Sequence, residues 1–304
     1  AIEGMSAANI LVGAPEECIF LTMTALLSPG DHVVCTAPGY QSLYEVARWM
    51  GCDVSLWWPR EEEGWRFDTE DLGRLLRDDT RLVAVNFPHN PTGAMLSVSE
   101  FEELVARVQA ADAYLLSDEM YRGLEYSDAD RLPAACALSD HAVSLSGMSK
   151  VYGLAGLRIG WLVSHDLQAL ERIAAMKDYT TICSSAPSEL LALVALRNRD
   201  QLVEGQRRRV RRNLDELIRF VERSSAWLAW SRPHAGPVAF PRLPFTENTD
   251  RFCSELVEQA RILLLPGSVF SYGNRHVRIG FGREDFPEVL ACFEEALRGT
   301  ARRA

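Results

Sequence analysis

Ser144-Leu145-Ser146-Gly147-Met148-Ser149-Lys150-Val151-Tyr152-Gly153-Leu154-Ala155-Gly156-Leu157-Arg158-Ile159-Gly160-Trp161 is the stretch around which the rest of the chain is read. The apolar run 141–145 that leads into it reads as a buried strand. One lysine then stands among small residues, with three glycines after it and an arginine eight positions on. A surface lysine needs no such surroundings, and a buried one needs a partner. A lysine amine in a partly buried site becomes a nucleophile once its pKa falls, and its usual product is a Schiff base with an aldehyde. Arg158 adds a planar fork of donors suited to a phosphate. The plainer alternative is a strand–turn–strand with a solvated lysine and arginine. The rest of the chain decides between the two.

Outward from this stretch, strands are expected at 32–36, 53–57, 82–87, 113–116 and 159–163, in addition to 141–145. Helices are expected at 15–27, 41–50, 69–77, 99–110, 167–179 and 188–196. In the first helix Pro15 suits the first helical position and Glu16 and Glu17 suit the first turn. Strands alternating with helices indicate a mostly parallel α/β sheet, whose ligands gather at the carboxyl ends of its strands. Tyr40, Asn90, Asp118 and Lys150 each fall just after an expected strand. Residues 200–223 read as a long, charged amphipathic helix. Beyond it, short strands near 227–230, 238–240, 262–265 and 277–281 mix with helices near 250–259 and 287–297, an α+β layout. The organisation expected is a large α/β domain over 1–199, then a bridging helix and a smaller C-terminal α+β domain over 200–304.

Composition is that of an ordinary globular chain. It has 304 residues, 47% of them hydrophobic, with a mean hydropathy near zero. The net charge of −10 argues against a nucleic-acid partner. The one basic cluster, Arg207-Arg208-Arg209-Val210-Arg211-Arg212, lies among Glu204, Asp215 and Glu216 and reads as a solvated helix face. Seven scattered cysteines without a CxxC fit reduced thiols, not a disulfide framework or a metal site. No apolar run reaches membrane-spanning length and no signal peptide opens the chain, so a cytoplasmic protein without a membrane partner is expected.

A lysine for an aldehyde and an arginine for a phosphate are together what pyridoxal 5′-phosphate (PLP) requires. The pattern Ser-Lys-x-x-Gly-x-x-Gly-x-Arg-x-Gly over 149–160 closely resembles the cofactor-lysine segment of the class I/II aminotransferases, the aspartate aminotransferase-like PLP enzymes. The spacing from Lys150 to Arg158 is kept. The resemblance implies a fold-type I PLP transferase and assigns roles to further residues. Asn90, in Asn90-Pro91-Thr92-Gly93, would give its amide to the cofactor's ring oxygen and face substrate. Asp118, in Ser117-Asp118-Glu119-Met120-Tyr121, would hold the pyridine nitrogen protonated, with Tyr121 on the ring oxygen. Glu119 should point the opposite way in an extended segment. Tyr40 would stack on the cofactor's face, with Tyr44 the second choice. Ser149 and Arg158 would grip the phosphate, along with the start of the first helix at Ala14 and Pro15. Arg278, in His276-Val277-Arg278-Ile279-Gly280-Phe281, would clamp the substrate α-carboxylate. His89 reads as a structural hydrogen-bonder.

The sequence departs from the family pattern at two places. Pro15 has no N–H to give, and Glu16 and Glu17 bring like charge near a dianion, so either both acids point away or a neighbouring amide such as the Glu16 N–H substitutes. Gly147 stands where the family usually has a hydroxyl. Members also carry several dozen residues before the first segment here, which would add an N-terminal arm; the chain opens on Ala1-Ile2-Glu3-Gly4 without an initiator Met. The activity implied is amino-group transfer from an α-amino acid to a keto acid by a homodimer, with Lys150 as Schiff-base residue and proton carrier. The rival outcome on the same residues is elimination, oxidation or a capreomycidine synthase-like cyclisation. A non-catalytic PLP-binding domain is the remaining alternative, and it would not need Lys150, Asp118 and Arg278 together.

Overall fold

The computed structural model describes residues 4–301. Its first part runs β1 (Ile10–Gly13), α1 (Pro15–Leu26), β2 (His32–Thr36), α2 (Ser42–Trp49), β3 (Asp53–Trp57), α3 (Thr69–Leu75), β4 (Thr80–Asn86), α4 (Val98–Ala110), β5 (Tyr114–Asp118), β6 (Ala142–Gly147) and β7 (Gly160–Val163). The seven strands form one sheet in the order β1-β7-β6-β5-β4-β2-β3. β7 pairs antiparallel with both of its neighbours, and the other pairings are parallel. This is the α/β sheet expected.

The central strands are apolar nearly throughout because helices cover both faces. All five residues of β2 are buried, including His32, whose ring nitrogens meet the hydroxyls of Thr80 and Ser55 at 2.8 and 2.9 Å. One face packs on α3 and α4 through Phe67, Leu72, Phe101 and Leu104. The other packs on α1 and α2 through Cys18, Ile19, Leu43 and Tyr44. α4 starts where a Ser97–Glu100 capping box satisfies its first amides, and it buries Phe101, Leu104, Val105 and Val108. Each such side chain contributes roughly 1.5–3 kcal/mol by leaving water.

Two expectations change here. β1 lies outside the expected strands: it is four residues long at the sheet edge, with Ile10 and Val12 exposed. β5 extends to Asp118, so that residue ends its strand instead of coming after it.

The second part contains α5 (Leu167–Lys177), α6 (Ala186–Arg197), α7 (Arg199–Arg223), β8 (Val238–Ala239), α8 (Thr249–Ala260), β9 (Leu265–Pro266), β10 (Val277–Gly280) and α9 (Phe286–Ala301). β8-β10-β9 form a small antiparallel sheet. It shares a core with the apolar side of α7, through Leu214, Leu217, Phe220, Val277, Ile279 and Phe281. The strand expected near 227–230 is reduced to an isolated Ala229–Arg242 bridge, and β9 holds only two residues.

The basic run on α7 is not simply a solvated face. Arg207 reaches Asp128 at 2.8 Å, and Arg211 and Arg212 donate to the carbonyls of Tyr126 and Glu284. Long arginine stems lie along apolar surface while their heads find distant partners, which local pattern does not reveal. Among the described residues no helix is long and apolar enough to cross a membrane, and no cluster of His, Cys, Asp or Glu could hold a metal.

Candidate active site

The carboxyl ends of β4 and β5, the segment after β6, the start of α1, the turn before α2, and β9 and β10 surround a cavity of about 500 Å3. Every position expected to touch cofactor or substrate lines it except Ala14. Residues as distant in the chain as Pro15 and Arg278 thus meet at the strand ends, which is where an α/β sheet offers a ligand site.

Asn86, which carries no motif of its own, pins two of those ends. Its Nδ2 donates to the Asp118 carbonyl at 2.9 Å, and its Oδ1 accepts from the Asn90 N–H at 2.8 Å. A signal is present in the sequence: an asparagine closing the apolar strand Leu82-Val83-Ala84-Val85-Asn86 must find partners when buried. Asn90 then turns its side chain to the small sheet, accepting from Arg278 Nη1 at 3.1 Å. The Arg278 guanidinium lies over the Phe270 ring, 5.4 Å from its centroid.

Asp118 is buried at the cavity floor, 5% exposed, and accepts from the Met120 N–H at 3.0 Å. Burial pushes its carboxyl up to about 7; the Met120 N–H and the Lys150 charge pull the other way, while Glu119 and Glu16 add to the rise. Lys150 opens into the cavity, its Nζ 6.0 Å from the Tyr121 ring centroid. Enclosure by protein lowers the Lys150 amine below its usual value, and the Arg278 charge adds to this, with Asp118 opposing. That is the environment a nucleophilic lysine needs. Tyr121 is buried and its phenol is pushed up to about 12, so it keeps its proton.

Other residues separate as expected. Glu119 turns to the far side of β5, accepting from Ser144 Oγ at 2.7 Å and the Ala135 N–H at 2.8 Å. His89 stays outside the cavity, its Nδ1 on Thr92 Oγ1 at 2.7 Å and its ring edge-on to Phe67. Burial pushes that imidazole down to about 3, so it is neutral. Tyr44 is fully buried in the core, whereas Tyr40 is 39% exposed on the cavity wall.

The start of α1 corrects the expectation for Ala14 and decides against both acids pointing away. Glu17 does point away: it accepts from Lys177 Nζ at 3.3 Å and from the Thr180 and Thr181 hydroxyls at 2.6 and 2.7 Å. In doing so it also meets the Ala14 N–H at 3.4 Å, so that amide is already engaged and Ala14 is off the cavity wall. Glu16 does not point away. Its carboxylate lines the cavity, accepting from Tyr40 OH at 2.6 Å and from Ser42 Oγ. Consecutive residues of a helix face directions about 100° apart, so the two acids part company.

The glycine at 147 also has a steric cause. A Cβ there would lie 2.9 Å from Gly160 Cα, 3.0 Å from the Ile159 carbonyl and 3.1 Å from Pro15 Cγ. The Pro15 ring occupies the room that a side chain at 147 would need. Arg158 is held at φ 55°, and among the described residues no carboxylate lies within ion-pair distance of its guanidinium. A non-glycine residue in that left-handed region is a strained position of the kind that collects at ligand sites.

The family model described as Aminotransferase class I and II matches residues 6–290. Capreomycidine synthase of Streptomyces vinaceus is 36% identical over 291 residues, 94% of this chain and 73% of that protein. The crystal structure of a PLP-dependent aminotransferase from Streptococcus suis superposes with a TM-score of 0.91 at 32% identity, over 99% of this chain and 79% of that one. The PLP-dependent cyclase OrfR superposes with a TM-score of 0.89 at 34% identity, over 99% and 80%.

The residues present fit PLP. The cavity has the size of a small-molecule site. A buried carboxyl with a raised pKa waits at its floor for a cationic partner such as a ring nitrogen. A lysine of lowered pKa stands beside it for an aldehyde. For the phosphate there are Arg158, Ser149 and the amides opening α1, of which Glu16 offers the first after Pro15.

Proposed function

This chain belongs to the aminotransferase class I and II family, and from that premise we propose that it removes the α-proton of an α-amino acid and passes the amino group to a keto acid. Its cofactor is PLP, which when bound supplies an electron sink for the electrons of the breaking Cα–H bond. The observation that carries the reading is the convergence of Lys150, Asp118 and an Asn90-bonded Arg278 on one cavity.

In this reading Arg278 and Asn90 hold the substrate carboxylate, and their 3.1 Å bond keeps the guanidinium fork aimed before substrate arrives. Asp118 holds a proton at the ring nitrogen. Lys150, its amine less basic than usual, takes the α-proton from Cα and would return it on the other side of the substrate nitrogen, at the cofactor's former aldehyde carbon. Tyr121 donates its phenolic hydrogen bond, and Tyr40 covers one face of the site. Arg158 and Ser149 hold the phosphate.

A second reading keeps the proton removal and replaces amino transfer with loss of a substituent and ring closure. It is favoured by the 36% and 34% identities to capreomycidine synthase and to the cyclase OrfR. Incubation with candidate amino acids and an acceptor keto acid separates the two. Transfer gives a new keto acid and one aminated acceptor per substrate consumed; ring closure gives neither.

The carboxylate clamp has its own test. Arg278→Ala is expected to weaken amino-acid binding by about 2–5 kcal/mol, because it leaves a carboxylate unpaired in a desolvated site. Cofactor loading should stay as it was. Unaltered amino-acid affinity would remove Arg278 from this role.

We also place the protein in the cytoplasm as a homodimer. The support is a run of exposed apolar side chains on and before α6: Tyr179, Ile182, Leu190, Leu191, Leu193 and Val194. An apolar patch of this kind marks an interaction surface. The seven free thiols suit a reducing compartment. Light scattering should give twice the chain mass, and Leu190→Glu with Leu191→Glu should halve it; a monomeric parent would refute the dimer. Fractionation of the producing cells tests the location.

A further inference from the structure

Five charged side chains line the cavity: Glu16, Asp118, Lys150, Arg158 and Arg278. The proposed function uses four of them. Asp118 faces a ring nitrogen, Lys150 an aldehyde and the α-proton, Arg158 a phosphate, and Arg278 an α-carboxylate. Glu16 is left over.

Its surroundings are specific. The two groups bonded to its carboxylate are neutral hydroxyls, Tyr40 OH on Oε2 and Ser42 Oγ on Oε1. Each hydroxyl donates, which fixes the carboxylate plane and still leaves half of its acceptor sites open. Among the described residues no Lys or Arg lies within ion-pair distance of it. The anchoring hydroxyls come from the turn that opens α2, so the carboxylate is held from a second element and does not swing freely on α1.

The first turn of α1 suits a carboxylate on its own, but a phosphate held by the same turn would bring like charge towards Glu16. That turn carries both Glu16 and the amides available to a phosphate dianion. A carboxylate close to a dianion repels it, and a cation beside the carboxylate relieves both. A substrate with an acidic side chain would add to the repulsion, and a neutral one would leave it standing.

We propose that Glu16, held by Tyr40 and Ser42, is the subsite for a positively charged substrate side chain, a guanidinium or ammonium. This rests on the reading of the substrate as an α-amino acid and adds the class of that amino acid. It makes Glu16 a specificity residue, with Tyr40 serving both as ring cover and as the strut that aims the carboxylate.

The experiment compares L-arginine with L-citrulline, which has the same length but a neutral ureido group. Dissociation constants are read by absorbance titration of the cofactor-loaded protein, without acceptor keto acid. Arginine is expected to bind at least tenfold more tightly, and Glu16→Gln should bring the two constants within about twofold of each other. Equal affinities in the parent protein would overturn the proposal without any variant being needed. A preference for arginine that survives Glu16→Gln would overturn it as well, since another group would then hold the cation. If norvaline, citrulline and arginine all fail to bind a fully loaded protein, the amino-acid reading itself falls and this subsite with it. Tight binding of norvaline with no arginine preference sinks the subsite alone.

Discussion

Asp118→Asn is expected to lower kcat by a thousandfold or more while making the cofactor-free protein more stable at pH 8. The two effects share one cause. Asp118 lies at the end of β5, 5% exposed, and burial pushes its carboxyl up to about 7. In the unfolded chain it would ionise near 3.8. Below that pH the carboxyl is neutral in both states and costs nothing. As pH rises from there towards 7 the unfolded state ionises first, so stability is lost progressively across that window. Above 7 the buried charge costs on the order of 4 kcal/mol in the absence of cofactor. Asparagine keeps the size and removes the charge, so it escapes that cost. Denaturant melts of the two cofactor-free proteins should diverge from pH 5 to pH 8, with the variant the more stable. Coincident melts at pH 8 would show that Asp118 is not under this strain.

The activity loss comes from the same charge. An ionised carboxylate favours a protonated ring nitrogen beside it, and asparagine cannot. Lys150 and Arg278 are untouched by the change, so amino-acid binding should survive. Only the step that develops negative charge should slow, by several kcal/mol of barrier. A single-turnover proton-abstraction rate within a few-fold of the parent would remove Asp118 from this role. Stability surrendered at a site in return for chemistry is a common pattern in enzymes.

Lys150→Ala should have the larger effect on turnover, at least ten-thousandfold in kcat/KM, which is about 5.5 kcal/mol. The amine is the one nucleophile of lowered pKa in the cavity among the described residues. Lys150→Arg should be equally inactive although it keeps the positive charge, because a guanidinium does not give up its proton in a protein. A small added amine such as methylamine should restore part of the rate to the alanine variant and none to the arginine one, which still fills the space. Substantial activity in Lys150→Arg would mean that charge, not proton transfer, is what this position supplies.

Legibility in the sequence divides along local and non-local lines. Asn90, Asp118 and Lys150 are legible because each is a chemically odd residue next to an apolar strand, and strand ends are where such sheets bind ligands. The face of α4 is legible from its period, and Phe101, Leu104, Val105 and Val108 are the residues it buries. β1 is not, because four residues at a sheet edge, two of them exposed, carry neither an alternating nor a continuous apolar signal. The closeness of the Pro15 ring, Gly147 and Gly160 joins distant segments of the chain, and it gives the departure at 147 a steric reason that local pattern does not reveal. The inward turn of Glu16 depends on where the hydroxyls of Tyr40 and Ser42 stand, which nothing within the first helix specifies. Asn86 is hidden for the opposite reason. It looks like the ordinary end of a strand, although a buried amide there has to be holding something.

Lys150 is the residue proposed to carry the cofactor, and the chain makes that unusually simple to test. It contains two lysines, Lys150 and Lys177. Lys177 is buried against α1, 3.3 Å from Glu17. Borohydride reduction of the PLP-loaded protein, digestion and mass mapping would locate the fixed cofactor. The mass should appear on the peptide that contains Lys150, at one label per chain. Label on Lys177, or none on a fully loaded protein, would remove Lys150 from this role.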